Sequence, residues 1–317
     1  MARGMQLVTL KRRLREYRAN LHDSSYNPPT KHITPLPKPN PANDTEQFNA
    51  WLNGLKSDYV SVMHFADIHF PYQHDEALDL AVQLVGYRQP HICVLGSDEF
   101  DFMRQGTWDI DPRQKSSELD DIDLIRLDHQ RLVDRLIAQS PCTQFVWIFG
   151  NHDYRLYRHI LKNSPNVANT VMREFVDVIR YQGRVWFMGE TDQVKIHNLI
   201  VGHGSKSGQN PAKAHLDMTG GQVNYMAGHV HRHSYWQKVG YQYTVQSVTS
   251  GCLCQLQPHY KGYRADMTGW EWGTCIGEIK RADDKATALF ENLKFDSDNE
   301  GRLSARYHGR TFNATAT

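Results

Sequence analysis

Five short apolar runs in this chain each stop at a histidine, an aspartate or an asparagine. "VSVMHFADIH" ends on Asp67 and His69, "HICVLGSDEFD" on Asp98 and Asp101, and "QFVWIFGNHD" on Asn151, His152 and Asp153. "HNLIVGHG" carries His203, and "VNYMAGHVHRH" carries His229 and His231. Runs of this length, bounded by turn residues, read as buried strands. In open α/β sheets, sites form on the loops past the carboxyl ends of strands. In an extended segment residues i and i+2 point to the same side, so Asp67 and His69 can converge on one point.

Buried carboxylates and imidazoles that converge without a cation repel one another or neutralise. A metal cluster removes that conflict. Imidazole, carboxylate and amide donors, with Asp98 shared, suit two adjacent divalent ions of moderate hardness such as manganese, iron or zinc. No thiolate stands among these donors, which argues against a structural zinc. Taken singly, each motif is more often an ordinary loop than a ligand set. The ordered series of five, each after a strand, is far harder to reach by accident. His64, His91, His197, His215 and His233 lack that context and read as ordinary histidines.

The chain has 317 residues, 40% hydrophobic and 22% charged, enough for one large domain or two modest ones. The five cysteines (Cys93, Cys142, Cys252, Cys254, Cys275) include no CxxC pair, which fits free thiols in a reducing, cytoplasmic setting. No apolar run reaches the roughly 20 residues of a membrane span. The N-terminus has no uninterrupted apolar core, so it makes a poor signal peptide.

Residues 1–43 carry a net charge of +6 and the remainder −5. A basic helix over residues 6–21 is followed by six prolines in the 18 residues 27–44, an extended linker or strap. This arm, residues 1–44, has two comparable readings: a site for an anionic partner or another subunit, or a solvated segment. The main domain is expected over residues 45–295, and residues 296–317 read as a frayed C-terminal tail.

Strand–helix alternation comes first and hairpins later. Strands are expected at Tyr59–Ala66, His91–Leu95, Phe145–Phe149, Val185–Met188, Gln193–Val201 and Val223–Ala227, and helices at Asp75–Gly86 and Glu118–Ala138. In the second helix Ile122, Ile125, Leu132, Val133, Leu136 and Ile137 form one stripe, with Ser117 as N-cap. "YWQKVGYQYTVQSV" and "GTCIGEIKRADDKATALFEN" read as hairpins. The fold class is α/β, a sandwich of mixed sheets flanked by helices.

The series "DIH", "GSDEFD", "GNHD", "GH" and "GHVH", spanning residues 67–231, resembles the calcineurin-like metallophosphoesterase superfamily. "TSGCLCQLQPHYKGY…GWEWG" resembles its bacteriophage and bacterial members more weakly. The resemblance implies an αββα fold and a dinuclear site, with manganese first and iron or zinc as alternatives. Asp67, His69, Asp98 and His231 would hold one ion, and Asp98, Asn151, His203 and His229 the other. His152, oriented by Asp101, would contact substrate and protonate the leaving group, with Asp153 behind the ligands. A hydroxide bridging the ions would attack phosphorus. Two departures stand out. Ser97 separates the motif's glycine from Asp98, so a local bulge is expected just before Asp98. Phe102 stands where protein serine/threonine phosphatases carry a phosphate-binding arginine, with Arg104, Arg155 and Lys206 as possible replacements.

The expected reaction is phosphoester hydrolysis, leaning to a nucleic-acid or nucleotide phosphodiester. The basic arm and the aromatics Tyr260, Tyr263, Trp270 and Trp272 favour that substrate, although such aromatics more often fill a hairpin core. The rival readings are a small-molecule phosphomonoesterase and a non-catalytic binding scaffold.

Overall fold

The computed structural model describes residues 44–102, 118–188, 192–241, 243–256, 269–281 and 288–315, with side chains of the helix starting at Glu118 described from Ile125 onward. The basic arm, Ser117, the side chain of Ile122, Arg104, Tyr260 and Tyr263 lie outside the described residues.

Two mixed sheets pack face to face. The larger contains β1 (Tyr59–His64), β2 (Ile92–Gly96), β3 (Gln144–Ile148), β4 (Val185–Phe187), β10 (Gly273–Lys280), β11 (Ala288–Ser297), β12 (Leu303–Tyr307) and β13 (Arg310–Asn313). Its order is β13-β12-β11-β10-β1-β2-β3-β4. The smaller contains β5 (Gln193–Ile196), β6 (Leu199–Gly202), β7 (Asn224–Ala227), β8 (Ser234–Val239) and β9 (Thr244–Thr249), in the order β5-β6-β7-β9-β8. Among the described residues the α-helices are α1 (Asp44–Gly54), α2 (Asp75–Arg88), α3 (Glu118–Gln139), α4 (Asp153–Asn163), α5 (Ala168–Arg180) and α6 (Pro211–Met218).

The burial pattern explains the layers. β1, β2 and β3 are apolar on both faces, as strands covered on both sides must be. One face contributes Val60, Val62, Val94, Val146 and Ile148 to a core shared with Ile196, Val201, Met226 and Val248 of the second sheet. The other contributes Met63, Cys93, Leu95, Phe145 and Trp147 to a core shared with Leu80 and Leu84 of α2, Leu132 and Leu136 of α3, and Phe175 and Ile179 of α5. Leu216 of α6 meets Val245 on the outer side of the second sheet. The fold is thus α/β with two mixed sheets, as the strand–helix order predicts.

Parallel pairing puts the site in place. β1–β2–β3 run parallel in the first sheet and β6–β7 in the second, so within each sheet the carboxyl ends lie at one edge. All five motif loops leave from those strand ends.

Two expectations are corrected. Gln193–Val201 is not one strand but the antiparallel pair β5–β6, turned at His197, whose φ is +50°. Residues 303–313 are not a frayed tail: β12 and β13 extend the large sheet, and Leu303, Ala305 and Tyr307 are buried. Alternate residues of β12 find core surface beside α2, so the segment gains more by burying them than it loses by ordering.

Candidate metal centre

Backbone geometry at the strand ends is unusual for the residue types involved. Asp67, His69, Asp98, His229 and His231 have φ of +55°, +54°, +68°, +71° and +56°. Non-glycine residues seldom adopt the left-handed region, and each does so at a cost of about 1–3 kcal/mol that the surroundings must offset. Here the strain turns five side chains inward to one place.

Glycine at two loops allows the close approach. A Cβ on Gly150 would lie 2.1 Å from both the backbone N and Oδ1 of Asp98. One on Gly228 would lie 2.8 Å from Asp67 Oδ2. Only a residue without a side chain fits at these points.

Asp98 Oδ2 is the hub. It lies 3.4 Å from His203 Nε2, 3.9 Å from His152 Nε2 and 4.0 Å from His69 Nε2. Its other oxygen accepts the His152 backbone N–H at 2.6 Å. On one side Asp67 Oδ1 sits 3.2 Å from His231 Nε2 and 3.9 Å from His69 Nε2, and the two imidazole nitrogens are 3.3 Å apart. On the other, His203 Nε2 lies 2.7 Å from Asn151 Oδ1 and 3.0 Å from His229 Nδ1. Asp67, His69, Asp98, His203 and His231 are buried, whereas Asn151 is exposed and His152 and His229 are half-buried. The cluster is therefore open on the Asn151–His152–His229 side.

The inserted serine turns away from the cluster. Gly96, Ser97 and Asp98 all have positive φ. That run points Ser97 Oγ to His64 Nε2, 3.1 Å away at the end of β1, and leaves the Asp98 carboxylate at the centre. Asp153 supports the same loop. Its Oδ2 accepts N–H bonds from Asp98 at 3.0 Å and Gly150 at 2.7 Å, and its Oδ1 accepts one from Phe100 at 2.9 Å. Burial, together with the Asp98 carboxylate, pushes the Asp153 pKa up, and the amides of Phe100 and Gly150 oppose that shift.

Asp67 and His231 are coupled electrostatically. Burial disfavours an ionised Asp67, yet the His231 imidazole beside it holds the carboxyl below its usual range. Reciprocally, burial disfavours a charged His231, but the Asp67 carboxylate pushes its pKa up to about 10. Asp67 Oδ1 is buried without a hydrogen bond of good geometry. An orphaned carboxylate oxygen beside facing imidazole nitrogens is what a divalent cation would satisfy, so these residues fit a metal centre.

Among the described residues three groups of side chains lie close enough to share an ion: Asp98, His203 and His229; His69, Asp98 and His152; and His69, His231 and Cys254. Cys254 was not foreseen. Its Sγ lies 3.8 Å from His231 Nδ1, the far side of the ring from Asp67 and His69. It therefore stands behind His231, and a proton held on Nδ1 on that side would leave Nε2 free to ligate. The CxC pair in "SGCLC" carried no signal for this, because the contact depends on how the loop after β9 folds back.

His152 precedes α4. Its Nδ1 makes a very short bond to Asp101 Oδ1, and burial holds its pKa below the usual value. Arg155, in the first turn of α4, donates from NH1 to the Asp101 carbonyl oxygen at 2.9 Å and to Asp101 Oδ1 at 3.1 Å. Its NH2 lies 2.8 Å from His152 Nε2. Lys206 is exposed. Phe102 is buried against Phe100 and Phe175, with ring centroids 5.7 and 6.1 Å away, so its position serves the core. Trp272 packs on His74 and donates to the Cys254 carbonyl, whereas Trp270 is half-buried with its ring centroid 4.0 Å from that of His231.

No family model and no curated protein match the sequence. Among solved structures the chain is similar to a dimetal phosphatase from Danio rerio, with a TM-score of 0.31 and 10% identity over 73% of this chain and 98% of that one. A likeness that loose carries no argument about activity. Among the described residues no helix is long and apolar enough to cross a membrane.

Proposed function

We propose that the chain is a dinuclear metal-dependent phosphoester hydrolase of the calcineurin-like metallophosphoesterase superfamily. The observation that carries this reading is Asp98 Oδ2, set among three imidazole nitrogens from three different loops. Asp67, His69, Asp98 and His231 would hold one ion, and Asp98, Asn151, His203 and His229 the other, manganese being the first candidate. When bound, such ions generate a hydroxide nucleophile at neutral pH and offset charge on phosphoryl oxygens.

The protein's own part follows from the side chains. Asp101 fixes the His152 ring through Nδ1, and Nε2 lies 2.8 Å from Arg155 NH2 and 3.9 Å from Asp98 Oδ2. In the protonated form Nε2 would give its proton to the departing oxygen. Asp153 keeps the Asp98 and Gly150 loops in register. The half-buried Trp270 beside His231 offers a flat apolar face, which supports a nucleotide or nucleic-acid phosphodiester as substrate.

The test is a hydrolysis panel with Mn²⁺: nitrophenyl phosphate mono- and diesters, cyclic nucleotides, and single- and double-stranded DNA. Elemental analysis should find two ions per chain, lost in Asp98→Asn. Diester turnover above monoester turnover supports the substrate assignment. Preference for monoesters favours a phosphomonoesterase, and metal binding without turnover favours a scaffold.

A further inference from the structure

Phosphoryl transfer places negative charge on oxygens that a cation must meet, and the position after the second aspartate motif is occupied by buried Phe102. We infer that Arg155 is a substrate-binding residue that takes a non-bridging phosphoryl oxygen through NH2. This rests on the hydrolase reading above and adds to it the side chain that recognises the phosphate.

Three observations carry it. Both donors of one arm are committed, since NH1 donates to the Asp101 carbonyl and carboxylate. The guanidinium is therefore held in place before any substrate arrives, and little entropy is lost on binding. The other arm points to the reacting side: NH2 meets His152 Nε2, the atom that would face the leaving group. An anion entering between them gains a charge-assisted bond from a donor already aimed at it. Finally, the Arg155 side chain is 15% exposed, so its charge is screened far less than that of a surface arginine. Lys206, the alternative among the described residues, is exposed and solvated.

NH2 can reach one oxygen while NH1 stays on Asp101, so the contact is monodentate. It should therefore contribute to binding any phosphoester that presents a free ionised oxygen, and it should be indifferent to the base or sugar attached.

The test uses full-length, Mn²⁺-loaded protein and Arg155→Ala, Arg155→Lys and Lys206→Ala. Orthophosphate affinity is measured by calorimetry, KM and kcat with a nitrophenyl diester, and metal content by elemental analysis. Loss of one charged hydrogen bond should weaken orthophosphate and raise KM by about 10–100-fold in Arg155→Ala. The metal content should stay at the wild-type level, and kcat should fall less than KM rises. Arg155→Lys should recover part of the affinity, and added guanidinium should recover part of the loss in Arg155→Ala. Lys206→Ala should match wild type.

An unchanged orthophosphate affinity and KM in Arg155→Ala, with kcat alone reduced, would overturn the inference and leave Arg155 as a support for His152. Loss of metal in both variants, or weaker phosphate binding in Lys206→Ala alone, would overturn it as well. If Arg155→Ala does not fold, Arg155→Lys decides: wild-type phosphate affinity with one N–H geometry replaced by another argues against a guanidinium contact. Wild-type protein that binds Mn²⁺ and phosphate but hydrolyses no ester would sink the hydrolase reading alone, because the phosphate measurement still judges Arg155.

Discussion

Directly behind the Asp98 loop lies an ion pair sealed from water, and its removal gives a well-defined stability prediction. Glu99 and His129 are both 0% exposed. Glu99 Oε1 meets His129 Nδ1 at 2.7 Å, and Oε2 accepts the Trp147 indole N–H at 2.6 Å. His129 Nε2 donates to the Ile179 carbonyl at 2.9 Å. Both ring nitrogens face acceptors, so the ring is doubly protonated and the pair is charged. Burial works against that charge, but the Glu99 carboxylate outweighs it and raises the His129 pKa. His129→Leu would leave a buried carboxylate with one indole donor. Breaking a buried pair from one side costs about 3–5 kcal/mol. In a domain of this size that lowers Tm by roughly 6–10 °C. Adding Glu99→Gln removes the stranded charge and keeps an acceptor for Trp147, so the double variant should regain about half of the loss. The raised pKa also fixes the sign with pH. The pair's contribution is complete below about pH 6.5, the unperturbed histidine value, and declines as pH rises through the higher folded value. Urea unfolding of the wild type and the three variants between pH 5 and 9 reads all of this. A loss under about 1 kcal/mol in His129→Leu, or a double variant as unstable as the sum of the singles, would refute a charged pair.

The same geometry makes further predictions. His152→Ala should retain both metals and lose about 10²–10⁴-fold in kcat on an alkyl ester, but much less on a nitrophenyl ester whose leaving group needs no proton; equal losses on the two esters would mean that His152 is not the acid. Ser97→Ala should keep most activity, since Ser97 Oγ faces His64, whereas Asp98→Asn should abolish it. Cys254→Val should weaken metal binding by about 10–100-fold, and Cys254→Ser should largely preserve it, because a hydroxyl can still hydrogen-bond to His231 Nδ1. Metal affinity should rise with pH, about tenfold per unit for each displaced proton, as the proton that His231 holds without metal is released; calorimetry in buffers of different ionisation enthalpy counts it. Gly150→Ala should destabilise the fold and reduce metal binding together, since its Cβ would overlap Asp98.

How much of this was legible in the sequence depends on the range of the interaction. Each motif loop follows its own strand directly, so the residues that gather around Asp98 could be picked out from local pattern, and parallel pairing supplied the common edge. The stripe of α3 was legible for the same reason, with Leu132, Val133 and Leu136 buried as the period requires. What was missed lies across the fold. β10 pairs with β1 across more than 200 residues of chain, and nothing in either strand names the other. The Glu99–His129 pair joins the loop after β2 to α3, and Cys254 reaches His231 from the loop after β9. The C-terminal hairpin is the exception, because its signal was local and was overlooked. "LSARY" alternates buried and exposed residues, and His308-Gly309 turns it with φ of +47° and +75°. Two left-handed residues in succession are the mark of a tight hairpin turn.

The strained residues explain why the site needs so much scaffolding. Five inward-facing side chains hold left-handed backbone at about 1–3 kcal/mol each, a total near the whole stability of an ordinary domain. Such strain persists only where surroundings over-determine the conformation. Here the loops are tied from several sides at once: Asp153 takes three amides from two loops, Asp67 Oδ2 takes the His229 N–H at 2.8 Å, and the Asp67 N–H reaches the Ser97 carbonyl at 2.9 Å. The bonds join loops from both sheets, so the Asp98 and Asp67 loops cannot relax independently. The cluster is consequently positioned without an ion, so the exposed Asn151 and the half-buried His229 would complete the proposed ligand set. A bound divalent cation would then replace the proton shared by Asp67 and His231, and the strain would be held by ligation as well as by hydrogen bonds. Thermal unfolding should therefore shift upward on adding Mn²⁺ by far more in the wild type than in Asp153→Ala, in which the Asp98 and Gly150 loops have lost their common anchor. An equal shift in the two proteins would show that the metal assembles these loops by itself and that Asp153 contributes only to the fold.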